Sequence, residues 1–395
     1  MDVSTLTFPF GYRGDEIPPV LRRLQTGEPV TRVKAEDGAP AWLVTSYELV
    51  SAVLKDTRFS LSRTADQSAP QRDTAPFPPV AVRSMRTLTE CGLRDEVMRH
   101  LGPGQQTVPS WWVADRARQR ATEMARQGRP VDLIAHFARP LTLDIACRLL
   151  GLPREDGDFL AEQVENDINF GARTSGPDEH VWAGFYAYLP ERLLPGSEPA
   201  HGLLGDLARG ARERGAPSEQ TLVDISAMLV ISAVANPMAV LTGAAIVLLR
   251  HPEAVRRLRA EPGAWPGAAD ELLRHVVTVG GGLARVAVED VRLGGVLISA
   301  GDLVLIATDV AGFDSAVFHD PDRLALERRN ASGHLAFGGG RHYCPASQFN
   351  RNILIAALDS LLTTLPDIRL ARALHELEWI PDRHVLQPRA LPVTC

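Results

Sequence analysis

Cysteine is scarce: Cys91, Cys147, Cys344 and Cys395 lie scattered over 395 residues. Four thiols so spaced offer no disulfide framework, and none forms a Cys-x-x-Cys metal pair, so a reducing cytoplasm is the expected setting. Positive charge is not in excess either. The formal net charge is −6, which gives no electrostatic footprint for nucleic acid. The N-terminus lacks a basic segment followed by an apolar stretch, so neither a secretory signal nor a membrane anchor is expected. No period of about 20 to 50 residues suggests a repeat array. The 29 prolines and 32 glycines are spread throughout, with no long Gly/Ser linker or charge run at which to cut the chain. Length alone admits two or three domains, but the reading is one domain over residues 1–395, with 45% hydrophobic residues to fill its core.

What is present is organised around Phe337-Gly338-Gly339-Gly340-Arg341-His342-Tyr343-Cys344. Beyond Cys344, the apolar positions Ile353, Leu354, Ala357, Leu358, Leu361 and Leu362 recur with a period near that of an amphipathic helix. Cys344 thus stands just before a helix N-terminus, where the macrodipole and free backbone N–H groups favour a thiolate. The glycines let the loop press its backbone toward that sulfur or a flat ligand. An inert buried cysteine behind a glycine turn is the other reading of these residues.

The segment resembles the haem-ligand loop of the cytochrome P450 family, whose pattern is Phe-Gly-x-Gly-x-His-x-Cys-x-Gly. Phe337, Gly338, Gly340, His342 and Cys344 match it, and Ala346 stands where the family has glycine. The resemblance implies haem b as cofactor, with Cys344 the axial thiolate that pushes electron density onto iron. Ala41 to Thr45 reads as a strand, Tyr47 to Leu54 as a short helix, and both resemble the N-terminal region of soluble bacterial members. Ser62 to Thr89 lacks sustained periodicity and reads as a long loop; by family position it is a substrate lid, or else merely a surface loop. In the next helix the family often grips haem propionates with His-x-x-x-Arg. Here Arg99 falls on the arginine and Asp95 on the histidine, so half of that clamp is implied. A polar helix over Ala114 to Gly128 follows, and Asp132 to Pro153 again resembles the family. Glu162 to Asn169 and His180 to Leu189 are helix candidates in what the family uses as a mobile roof.

Ser218 to Arg250 is the most apolar stretch, with Ser218 as N-cap and Glu219 in the first turn. A transmembrane span is the competing reading. Asp224, Asn236 and Pro237 interrupt it, and a helix apolar all round also crosses the core of a large protein; at 1.5 Å per residue it would run ~45 Å. The resemblance implies that this helix passes over the haem, with the family's acid–alcohol pair falling on Ala235 and Asn236. In typical members that pair supports proton delivery during oxygen activation. Ala235 cannot do so, and Asn236 hydrogen-bonds both ways but does not ionise. Pro237 lacks an N–H and should kink the helix. Asn236 then has two readings: it takes part in chemistry, or it satisfies the carbonyl that Pro237 frees.

Glu271 and Arg274, three apart on one helical face, match the family's Glu-x-x-Arg, and Arg323 is expected to join them in a structural triad. Strand-like alternation begins at Leu283. The resemblance places Arg285 and His334, with Arg99, on the haem propionates. Ala311-Gly312-Phe313-Asp314 departs from the family's sequence there. The fold implied is mainly α with a small β region, haem lying between a long central helix and the cysteine loop. The function implied is a haem-thiolate oxidoreductase, monooxygenase-like, acting on a small molecule in an oxidative tailoring step of bacterial secondary metabolism. Ferredoxin and ferredoxin reductase would supply electrons, docking where Arg341 and Arg351 offer positive charge. The Ala235-Asn236 pair points to ring closure, coupling, rearrangement or peroxide use. The alternative is a catalytically silent relative that activates a partner enzyme.

Overall fold

The computed structural model describes all residues except 1–6, 9, 12–13, 15, 36–37, 67–68, 71–78, 169–182, 195–200, 278–281 and 381–384. Helices dominate. The central one, Glu219–Leu249, starts where Ser218 Oγ accepts the Thr221 N–H at 3.3 Å and continues through Pro237 without a break. By length and composition it could cross a membrane, with a mean hydropathy of 1.9, but 61% of its most apolar window is buried inside the fold. It serves as a core helix, packed against Arg139–Leu150, Trp265–His275 and Ser347–Thr364. The last of these begins just after Cys344 and lies along Ser110–Ala125, so its apolar face, including Ile353, Leu354 and Leu361, is buried in the main core.

The β region is small. Five strands lie in the spatial order Val30–Lys34, Pro40–Val44, Leu303–Ile306, Leu283–Ala287 and Phe59–Ser60. The pairings are antiparallel except that of Pro40–Val44 with Leu303–Ile306, and the register sets Arg285 opposite Val304 and Ser60 opposite Val286. Alternating Val, Leu and Ile residues of these strands, such as Leu43, Leu303 and Leu305, fill a second core.

Several sequence expectations shift. Ser62 to Thr89 is not one loop: Ser62–Ala65 is a short 3₁₀ turn and Pro79–Glu90 an α-helix, while residues 71–78 lie outside the described part. Pro79 at the first helical position was the start signal. The helix expected from Ala114 begins earlier, at Ser110, and takes Trp111 and Trp112 into its first turn. The roof helices are Gly157–Ile168 and Ala183–Tyr188, and residues 180–182 of the second expectation are outside the described part.

The triad partner is also different. Glu271 and Arg274 are buried together, with Nε and Oε2 at 2.8 Å, but the third member is Arg328, whose Nε donates to Glu271 at 3.0 Å. Arg323 instead reaches Glu327 at 3.4 Å on the surface and gives its backbone carbonyl to Arg328. Against the pull of burial, which raises it, hydrogen bonds from Arg274, His275 and the Ala325 N–H hold the Glu271 carboxyl well below the usual carboxylate range.

Candidate active site

The cysteine loop is folded by its own backbone. Gly338 N–H donates to Leu335 O at 2.9 Å, Tyr343 N–H to Gly340 O at 3.2 Å, and Cys344 N–H to Phe337 O at 3.0 Å. Gly340 has φ +61°, and a Cβ there would come within 2.2 Å of the Leu54 carbonyl oxygen. Only glycine lets the loop lie against the end of the helix Tyr47–Lys55. Ala346, by contrast, has φ −94°, where alanine is at ease, so the family's glycine is not needed. Burial pushes the Cys344 thiol up, opposed by the Ala346 N–H that donates to its sulfur. Burial thus works against the thiolate that the helix dipole favours.

Beside this loop is a cavity of about 770 Å³, lined by His342, Tyr343 and Pro345 on one side, Arg94 and Met85 on another, and Met228 of the central helix. That volume lies within the range of small-molecule sites. Arg94 and Arg341 put positive charge on its wall. Arg285, near Arg341 and His342 though not in that lining, is only 3% exposed, its Nη1 donates to the Ala284 carbonyl at 2.7 Å, and no carboxylate of a described residue pairs with it. Burial, reinforced by the nearby Arg341 charge, pushes the Arg285 guanidinium down to about 10. Burial together with Arg285 and Arg341 pushes His342 down to about 4. Arg94, exposed at the start of the helix Arg94–Leu101, lines the cavity without a hydrogen bond or ion pair to any described residue.

The cytochrome P450 family model matches residues 267–365. Mycocyclosin synthase of Mycobacterium tuberculosis is 33% identical over 390 residues, covering 98% of each chain. Pentalenic acid synthase of Streptomyces avermitilis is 34% identical, covering 95% of this chain and 94% of its own. Among solved structures, a cytochrome P450 described as having biaryl coupling reactivity superposes with TM-score 0.85 at 30% identity, over 99% of this chain and all of that one. The chain belongs to the cytochrome P450 family. It is accordingly a haem-thiolate oxidoreductase with a small-molecule substrate, and the silent-partner reading loses its ground.

The residues fit a P450 haem. Arg285 and Arg341 gather positive charge that no carboxylate on the described chain answers, which is what two propionates would neutralise, and His342, pushed down to about 4 and so neutral near pH 7, stands beside them as a hydrogen-bonding group.

Other expected site residues lie elsewhere. Arg99 is mostly exposed and pairs with Glu96 at 2.6 Å and Asp206 at 3.2 Å, so it is not free for a propionate; Asp95 is exposed on the same helix. His334 stacks at a tilt on Phe337 and accepts the Ala336 N–H. Burial pushes it down to about 4, and the charges it feels are Asp270, Arg351, Arg274 and Glu271, not Arg285. It belongs to the triad side of the loop. Arg351 is bound to Asp270 at 2.7 Å, which cancels the free charge assigned to it for docking, whereas Arg341 is exposed and holds the Thr57 carbonyl. Ala235 is 5% exposed, but Asn236 beside it is exposed and makes no hydrogen bond to any described residue. The reading in which Asn236 satisfies the carbonyl freed by Pro237 therefore fails. Arg94 was missed in the sequence; a cation at a helix's first position, where the dipole disfavours it, was the available signal.

Proposed function

We propose that Cys344 is the axial haem ligand and that Arg285, His342 and Arg94 bind the propionates. On that site the protein performs an oxidative tailoring step on a natural-product intermediate in the bacterial cytoplasm, as one domain spanning residues 1–395, with ferredoxin and its reductase as electron source. The observation that carries the assignment is the buried, unpaired Arg285 beside the cysteine loop. When bound, haem with a thiolate ligand supplies oxidation of unactivated bonds by dioxygen or peroxide. The chain's residues hold and orient. Phe337 and the loop glycines hold the sulfur in place, and Gly338 in particular sets the turn at φ +70°.

Ala235 and Asn236 support ring closure or coupling over simple hydroxylation, because the site lacks an ionisable group of its own for proton delivery. In such a closure the substrate loses two hydrogens and gains one bond; with dioxygen, two further electrons and two protons from outside yield two waters. The relatives named for mycocyclosin synthesis and biaryl coupling are consistent with that class. Asn236→Thr tests the assignment. NADH consumption driven by surrogate ferredoxin and reductase is expected to rise by about a hundredfold, the lower end of the usual gain from a positioned proton-transfer group. An unchanged rate removes Asn236 from the mechanism.

A further inference from the structure

A second cavity lies at the far end of the central helix. It measures about 390 Å³, within the range of small-molecule sites, and is bordered by Gly243 and Val247 of that helix, by Arg250 and His251 just beyond it, and by Glu16 and Ile17 near the N-terminus. Met228 lines the first cavity and Gly243 the second, roughly 22 Å apart along the helix axis at ~1.5 Å per residue. No described residue of the cysteine loop borders this one.

Its floor is apolar, made of the buried residues Ile17, Ile246, Val276, Val277 and Phe313. His275 stands in the same wall. Its Nε2 accepts from Arg274 Nη2 at 2.6 Å and its ring meets Phe313 edge-on at 5.3 Å, so the buried Glu271–Arg274 pair braces that side. Arg22 and Asp322 also border the cavity, already paired with each other.

Three polar groups of the wall stay unanswered. Arg250 and Glu16 are exposed, and neither makes a hydrogen bond or ion pair with the other or with any described residue through its side chain. His251 donates from Nδ1 to the Val247 carbonyl at 2.7 Å, which leaves Nε2 of the neutral ring an acceptor without a described donor. Exposed charges by themselves need only water, and Arg250 also suits the negative end of the helix dipole. What water serves poorly is the hydrocarbon floor that lies under them. A plain anion would leave Glu16 opposing it, and a plain cation would meet Arg250 in the same way. A zwitterion with an apolar body answers both charges and covers the floor.

We propose that this cavity is a second ligand site, separate from the haem site, for an α-amino acid with a large apolar side chain. Arg250 takes the carboxylate, Glu16 and His251 Nε2 take the ammonium, and the side chain lies against Ile17, Ile246, Val276 and Val277.

The test is calorimetric titration of the purified protein with L-phenylalanine, with 3-phenylpropanoate, which lacks the ammonium, and with 2-phenylethylamine, which lacks the carboxylate. The parent should bind phenylalanine in the millimolar range, as suits a small body in a partly open site, and prefer it to either analogue by about threefold or more, the value of an exposed ion pair. Arg250→Gln should erase the preference over 2-phenylethylamine and keep that over 3-phenylpropanoate; Glu16→Gln should do the reverse. Both side chains are exposed, so neither change threatens the fold. Both also stand at the far end of the helix from Met228, so binding beside the cysteine loop would leave the preferences the same in parent and variants. That result, equal affinity of the parent for all three probes, or no binding of phenylalanine at about 20 mM, overturns the site.

Discussion

At the scale of the residue, Arg285 is the sharpest case of a side chain whose role is written in what it lacks. A guanidinium 3% exposed with a single carbonyl as acceptor is costly in the chain alone. Arg285→Met should therefore act with opposite signs on the two forms. The haem-free protein is expected to melt higher, since an uncompensated buried charge is gone, while haem should transfer to apomyoglobin at least about tenfold faster, one charge-assisted contact being worth about 1.5–3 kcal/mol. Lower stability in the haem-free form would mean that Arg285 has a structural partner after all. Some of this was legible in the sequence and some was not. Arg285 and His342 sit in strand and loop positions whose backbone dictates direction, so a motif match could point to the two side chains that lie together. Arg99 and His334 sit where direction depends on helix rotation and neighbours: Asp206 and Glu96 captured the first, and the Asp270 and Glu271 side of the loop the second.

At the scale of the element, Glu271, Arg274 and Arg328 tie the helix Trp265–His275 to the segment that leads into the cysteine loop. Spacing within one helix made the first two legible. The third was not, because Arg323, Arg328 and Arg329 all stand in one irregular stretch and only its path decides which turns inward. The Glu271 carboxyl is held well below its ordinary value of 4.5, so its contribution to stability is fully present above that pH and is lost as pH falls below it. Glu271→Gln should cost roughly 3–5 kcal/mol near neutrality, because two buried guanidiniums lose their counter-ion. Its melting temperature should fall less steeply than the parent's on acidification below pH 4.5, where the carboxyl of the unfolded parent begins to take up a proton that the folded one refuses. Parallel acid slopes in calorimetric melts would show that the carboxyl is not the group that titrates. The helix Pro79–Glu90 teaches a related lesson: a proline-rich approach masked Val82, Met85 and Leu88, whose spacing of three is itself helical.

At the scale of the whole molecule, one arrangement governs the rest: a core helix with one less-buried stripe, whose Met228 lines a cavity, and beside that cavity a cysteine loop braced by the helix Tyr47–Lys55. The apolar run of the core helix was plain from the sequence, but its stripe was not. Residues on its open face, such as Met228, Ala233 and Val240, are as apolar as those that are buried, so no periodicity marks them. The central claim is that this cavity holds haem through Cys344. It is tested most directly by the absorption spectrum of the purified protein, first oxidised and then reduced under carbon monoxide, beside a Cys344→Ser variant. A strongly red-shifted Soret band in the parent that is lost in the variant is the predicted result. A band that survives the substitution, or a parent that binds no haem even after reconstitution, would contradict it.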